Sequence, residues 1–175
     1  MGAMMREISA GGVVLRQIAG AWHVALIEPQ REASESAATS RKRGRAALAL
    51  PKGLVDPGEK PAATAVREVY EETGIKAEAV VKLADVRYVY TRTWSGGERV
   101  FKIVSFYLMR YVSGEIGAIA PEMQIEIKRA LWVPLADASQ QMAYGNERKV
   151  LLQAEGYLKT HGLERNATGP AQVRL

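Results

Sequence analysis

Three glutamates, Glu68, Glu71 and Glu72, crowd into five consecutive positions of a segment patterned as a helix, and that crowding restricts what the chain can be. The segment runs from Gly53 to Ile75 as GLVDPGEKPAATAVREVYEETGI. Pro61 suits a first helical turn, where its missing N–H costs nothing. Ala62, Val66, Val69 and Thr73 recur at helical spacing and predict one buried stripe. Gly74 is a natural terminator. At about 100° per residue, Glu68 and Glu72 fall one turn apart on one edge, with Glu71 alongside. Carboxylates this close repel one another as anions, so the helix calls for neutralising cations. Hard divalent ions with oxygen ligands are the obvious partners, and magnesium is the usual one beside phosphates. Arg67 is placed to pair with Glu71, one turn on, or to reach back to Glu59. A solvated acidic face is the plainer reading of a Glu-Glu pair alone, and the wider pattern argues against it.

Around this helix the pattern is strand-like. Ile8–Leu15, with Gly11-Gly12 inside it, and Trp22–Ile27 read as two strands joined by a hairpin link. Residues 29–46 lose the hydrophobic pattern and read as an exposed loop insertion, basic at Arg41-Lys42-Arg43-Gly44-Arg45. A strand-like ALAL run leads into Pro51-Lys52-Gly53, and Gly and Pro then mark a structured loop ending near Glu59. Ala79–Tyr90 and Val100–Arg110 are predicted strands across a Trp94-Ser95-Gly96-Gly97 turn. Ala130–Val133 reads as a short strand, Pro134–Met142 as a short helix, and Glu147–His161 as a last helix ending at Gly162. The 175 residues predict one domain over 5–162, without internal repeats, and a loose tail over 163–175.

The chain has no cysteine, which excludes disulfides and cysteine-based zinc sites. No apolar run approaches the roughly 20 residues of a membrane span, and MGAMMREISAGG lacks the apolar core of a signal peptide. A cytoplasmic protein without membrane contact is the expectation. The net charge of +5 and a pI near 9.5 favour polyanions, whether nucleic acid, anionic lipid or free polyphosphates. A nucleic-acid binder with a coincidental acidic helix is disfavoured. Its carboxylates would repel phosphate unless metal intervened, and no basic-aromatic platform for single strands is apparent.

The same segment fits the pattern G-x5-E-x7-R-E-U-x-E-E-x-G-U, U being a bulky aliphatic residue, at every position. The matching residues are Gly53, Glu59, Arg67, Glu68, Val69, Glu71, Glu72, Gly74 and Ile75. With average residue usage a chance match is roughly 10⁻⁷. The segment therefore resembles the Nudix box. The resemblance implies an α/β fold, the Nudix α/β/α sandwich with a mixed β-sheet between helices. It also implies a pyrophosphohydrolase in which Glu68, Glu71 and Glu72 ligate Mg2+ (Mn2+ substituting) with the Gly53 carbonyl as a further ligand. Glu59 and Arg67 would brace the loop against the helix. The implied substrate is a small molecule, a nucleoside diphosphate linked to another group, and the implied assembly a monomer or homodimer. Water would attack phosphorus with no covalent nucleophile.

Three weaker features resemble the diadenosine tetraphosphate and diphosphoinositol polyphosphate hydrolases: LPKGLVDPGE at 50–59, KIVSFYL at 102–108, and Glu126 six residues before Trp132. That branch implies a dinucleoside polyphosphate or a nucleoside triphosphate as substrate, with a diphosphoinositol polyphosphate or an RNA 5′-triphosphate as the alternative. Lys52 and Lys102 are candidate phosphate ligands, Lys102 because a charge in an apolar strand needs a reason. Glu126 is the candidate base or extra metal ligand, with Glu122 its competitor. Tyr107, with Tyr88, Tyr90, Tyr111 and Trp94, is a candidate stacking face, against the plainer reading of strand packing. Tyr144 would flank the cleft. His23 and His161 are too isolated to suggest a metal site.

Overall fold

The protein is described here by a computed structural model covering residues 4–30 and 47–163, so the basic run at 41–45 and residues 164–175 lie outside the described set. Strand β1 (Met5–Ile18) and β2 (Ala21–Pro29) form the anticipated hairpin. The ALAL run is not a strand: it contributes isolated bridges from Ala49 to Ile27 and from Leu48 to Met142, and pairing proper begins in β3 (Lys52–Leu54). Helix α1 (Pro61–Thr73) ends at Gly74, whose φ of 81° lets its N–H turn back to the Tyr70 carbonyl. Then come β4 (Ile75–Arg92), β5 (Glu98–Gly114), β6 (Ile127–Pro134), α2 (Leu135–Gln141) and α3 (Gly145–His161).

Among the described residues the strands form one six-stranded sheet in the order β4-β5-β1-β2-β6, with β3 also on β1. The sheet is mixed, because β1 runs parallel to β5 and antiparallel to β2 and β3. One edge of β1 pairs with β5 from Met5 to Leu15. Its other edge takes β3 at Ser9–Gly11 and β2 from Leu15 onward. This change of partner is what lets the segment leading into β3 lie beside the sheet.

Strand alternation sends the β1 and β5 side chains to two layers. Ala10, Val14, Tyr107 and Met109 pack with Ala65 and Val69 of α1. Val13, Leu15, Val104, Phe106 and Leu108 pack with Ala138 of α2 and with Val150, Leu151 and Ala154 of α3. Helices thus cover both faces, the α/β/α arrangement. Leu163 is not loose: it is 4% exposed within the second cluster, and its carbonyl accepts the Arg110 Nε–H at 2.6 Å.

The two β1 glycines fix how closely the flanking segments approach. A Cβ on Gly11 would meet the Pro51 carbonyl oxygen at 2.4 Å, and one on Gly12 would meet Met109 Sδ at 2.7 Å and Val69 Cγ2 at 2.8 Å. Gly11 therefore faces immovable backbone, while Gly12 faces side chains that can shift. Overpacking of this kind costs about 1–3 kcal/mol, against a gain of roughly 0.4–1 kcal/mol from reduced chain entropy. Urea denaturation should show Gly11→Ala as clearly more destabilising than Gly12→Ala, and the reverse order would contradict the packing described.

Candidate active site

The site is organised by one guanidinium. Arg67 donates through Nε and Nη2 to the two carboxylate oxygens of Glu59 at 2.9 and 2.8 Å. Its Nη1 reaches Glu68 Oε1 at 2.9 Å and Glu71 Oε2 at 3.1 Å, and its Nη2 also reaches the Leu54 carbonyl at 3.1 Å. Arg67 thus ties the loop after β3 to α1 with the bidentate geometry that favours arginine over lysine. The Arg67 hydrogen bonds, then that from Thr64 Oγ1, hold Glu59 down to about 2, so it stays ionised.

The buried side of α1 differs from the anticipated stripe. Thr64, Ala65, Glu68, Val69, Glu72 and Thr73 are buried, whereas Ala62 and Val66 are half-buried. The inward face has thus turned toward the carboxylates: Glu68 is 8% and Glu72 6% exposed, while Glu71 lies at the rim. Glu68 can be there because residue 53 has no side chain. A Cβ on Gly53 would sit 2.1 Å from Glu68 Cδ. Glu72 turns the other way, and its Oε2 accepts the Lys52 backbone N–H at 3.0 Å. Burial pushes Glu72 up to about 8 against the opposing pull of Lys52, and the charges of Glu68 and Glu126 push the same way as burial. Glu68 is also raised, chiefly by burial, with Arg67 opposing.

Beyond Lys52, on the α3 side of the sheet, lies a second charged group. Lys102 pairs in register with Glu7 of β1 and Tyr88 of β4, so all three side chains share that face. Glu7 accepts from Arg92 and from the Tyr90 hydroxyl (2.8 Å), leaving Lys102 Nζ at 3.9 Å from it. Burial, then the charge of Lys52, lowers Lys102 from its ordinary value. Lys52 behaves oppositely. Burial would lower it, but Glu147 of α3, 3.2 Å away, together with Tyr88 and Glu72, more than compensates and holds the ammonium above its usual range. The Tyr144 ring centre lies 5.7 Å from Lys52 Nζ.

Other candidates separate cleanly. Tyr107 belongs to the core, not to a stacking face: it is 5% exposed in the α1-side cluster, because strand alternation sends it to the face opposite Lys102. Tyr111 is likewise on that side, edge-on to Trp132 and under Arg16. Trp94 is 81% exposed at the β4–β5 turn. Tyr88 and Tyr90 stand on the Lys102 face with ring centres 6.3 Å apart. Glu126 ends the 3-10 turn Pro121–Ile125, is exposed, and raises both Glu68 and Glu72. Glu122 sits exposed in the first turn of that element. His161 stacks on Tyr157, and His23 bonds the Ala21 carbonyl. Glu7 and Glu147 had no signal in the sequence. Glu7 lies near the outer end of β1, and an acid in a first helical turn, as Glu147 is, reads as an ordinary dipole partner.

Among the described residues no three His, Asp or Glu side chains already converge as a metal cage. Arg67 holds Glu68 and Glu71, and the Lys52 amide holds Glu72. The donor set nevertheless fits a hard divalent ion: oxygen donors only, with two carboxylates forced toward the protonated state by burial. This has a measurable consequence in metal-free protein. An unfolded glutamate titrates near 4.3, whereas folded Glu72 keeps its proton to about 8. Between these values the folded state binds a proton that the unfolded state lacks, so this group's contribution to stability falls as pH rises. In chelator-treated protein, Glu72→Gln should flatten the decline of Tm between pH of about 5 and about 8. An identical decline in both proteins would show that Glu72 is not desolvated as described.

Comparison with known proteins places this geometry. The NUDIX domain model matches residues 10–154. The chain is 35% identical over 148 residues to the putative mutator protein MutT4 of Mycobacterium tuberculosis, covering 83% of this chain and 53% of that protein. It is 31% identical over 102 residues to the 8-oxo-(d)GTP phosphatase of Mycolicibacterium smegmatis, covering 58% of this chain and 28% of that one. The chain thus spans about half the length of the first relative and less of the second. The structure superposes on an Ap4A hydrolase from C. elegans with a TM-score of 0.62 at 21% identity, covering 87% of this chain and 98% of that one, a likeness of fold. With the family model spanning both helical layers and the Arg67-centred loop and helix intact, this chain belongs to the Nudix family.

Proposed function

We propose that the chain hydrolyses a phosphoanhydride bond in a nucleoside diphosphate linked to another group, with Mg2+ held by Glu68, Glu71 and Glu72 and the Gly53 carbonyl. The observation that carries this is the inward side of α1, where two buried carboxylates lie against bare backbone and, among the described residues, no lysine or arginine side chain is bonded to Glu72. Nudix proteins generally need a divalent metal, and a bound ion would supply charge neutralisation and a more acidic water.

The remaining roles fall to the chain's own residues. Glu59 keeps Arg67 oriented, and Arg67 holds Glu68 and Glu71 in place until they are needed as ligands. Lys102 binds a phosphate, because among the described residues its ion-pair partner is Glu7, as far off as 3.9 Å. A half-buried ammonium so weakly balanced favours an incoming anion. Lys52, closed on Glu147, shapes the same wall. Glu126 accepts the proton of the attacking water. Its charge already reaches Glu68 and Glu72, and being exposed it can turn toward a water between them. Tyr88 and Tyr144 flank the Lys52–Lys102 wall and offer ring surface to a base. The substrate reading is a dinucleoside polyphosphate or a nucleoside triphosphate, supported by the fold shared with an Ap4A hydrolase and by the likeness to an 8-oxo-(d)GTP phosphatase.

The direct test is a panel of diadenosine polyphosphates, nucleoside triphosphates, ADP-ribose, a diphosphoinositol compound and 5′-triphosphate RNA, with products identified by chromatography. Release of ATP and AMP from diadenosine tetraphosphate would fix the branch, and turnover of none of them would remove the reading. Glu71→Gln and Glu72→Gln should each lower kcat by about 100-fold or more, and chelator should abolish turnover until Mg2+ or Mn2+ is restored. Gly53→Ala should cost about 10- to 100-fold, because a displacement of about 1 Å at Glu68 suffices. Lys102→Ala should raise KM with a smaller change in kcat, and an unchanged KM would take Lys102 out of the site.

A further inference from the structure

We propose that Glu147, in the first turn of α3, is a positioning residue for Glu72, acting by clamping the Leu50–Lys52 strip whose final amide carries that carboxylate. The proposal deepens the hydrolase reading and rests on it for its metal-binding consequence. An acid at a helix N-terminus ordinarily faces water, where the helix dipole favours it. Glu147 instead turns inward and is 5% exposed. Its Oε1 accepts the Leu50 backbone N–H at 2.7 Å, and its Oε2 meets Lys52 Nζ at 3.2 Å.

These contacts hold a strip that β1 grips from the other side, where the Gly12 N–H donates to the Pro51 carbonyl at 3.1 Å. The next amide in the strip, that of Lys52, donates to Glu72 Oε2 at 3.0 Å, and the residue after it is the glycine that lies against Glu68. Hydrogen bonds at each end, joined by the Leu50–Lys52 backbone, therefore link α3 to the inner carboxylate of α1. Leu50 is fully buried. Without Glu147 its N–H would have no partner among the described residues, and the Lys52 ammonium would lose its ion-pair countercharge. Both losses favour a shift of the strip. The same pairing explains why two neighbouring lysines differ: Lys52 is committed to the clamp, and Lys102 is left for the substrate.

The test uses the full chain with Glu147→Gln, Glu147→Leu, Lys52→Met and the Glu147→Gln/Lys52→Met pair. Two quantities are read in each: the exchange rate of the Lys52 amide in metal-free protein, and the affinity for Mn2+ alone. Glu147→Leu loses both contacts and should speed Lys52 amide exchange and weaken Mn2+ binding by about tenfold. Glu147→Gln keeps an acceptor for Leu50 and should fall between it and the parent. Adding Glu147→Gln to Lys52→Met should change little, since both break one ion pair. A residue that merely stabilises α3 would lower Tm without touching the Lys52 amide or Mn2+ affinity. If the folded Gln variant kept both at parental values, or if the paired changes added in full, the clamp would be overturned. Should the parent itself fail to bind Mn2+ while the amide responds as expected, the clamp is upheld and the metal reading above is the part that fails.

Discussion

The pairing of Arg67 with Glu59 is the contact on which the rest of the site depends. It closes the loop after β3 onto α1, and the same guanidinium then reaches Glu68 and Glu71. A lysine would satisfy one of these partners at a time, whereas the planar fork serves several at fixed angles. The consequence is a helix whose inner side carries carboxylates where a packed helix ordinarily carries aliphatic groups. Burial works against their charge, and Arg67, the Lys52 ammonium and the Lys52 amide offset it only in part. A fold that retains such groups uses them for more than packing, in keeping with the tendency of perturbed carboxylates to cluster at working sites.

The sheet makes its own division of labour. Alternation along β5 sends Lys102 to the α3 side and Tyr107 to the α1 side, although the two lie close in sequence and both looked like substrate contacts. The α3 side gathers Glu7, Tyr88, Tyr90 and Arg92 around Lys102, with Lys52 and Glu147 adjoining. The α1 side is filled by Tyr107, Met109, Val69 and Ala65. The glycines of β1 allow both layers to come close: Gly11 admits the strip before β3, and Gly12 admits α1.

Much of this was legible in advance because it is local. The helix from Pro61, its stop at Gly74, the hairpin of β1 and β2, and the box pairing of Glu59 with Arg67 all follow from neighbours in sequence. What misled was non-local. The ALAL run has a strand's composition, but two isolated bridges use its backbone and its side chains join the core. Leu163 follows a helix end and has no periodic partner, but Arg110 from β5 holds its carbonyl and the α3-side core takes its side chain. The stripe on α1 was misplaced because hydrophobic spacing assigns aliphatic residues to the inside, and here two glutamates take part of that side.

By itself the sequence determined the chemistry of the box: which carboxylates stand one turn apart and which arginine can reach them. These are consequences of helical periodicity and covalent reach, so no distant residue can undo them. Only the tertiary structure decided which charges outside the box join it. Glu7 and Glu147 lie far from Lys102 and Lys52 along the chain, and they become their partners because β1 lies parallel to β5 and α3 packs across that face. Charge pairing at such separation depends on register and packing angle, which arise only when every strand has found its neighbour.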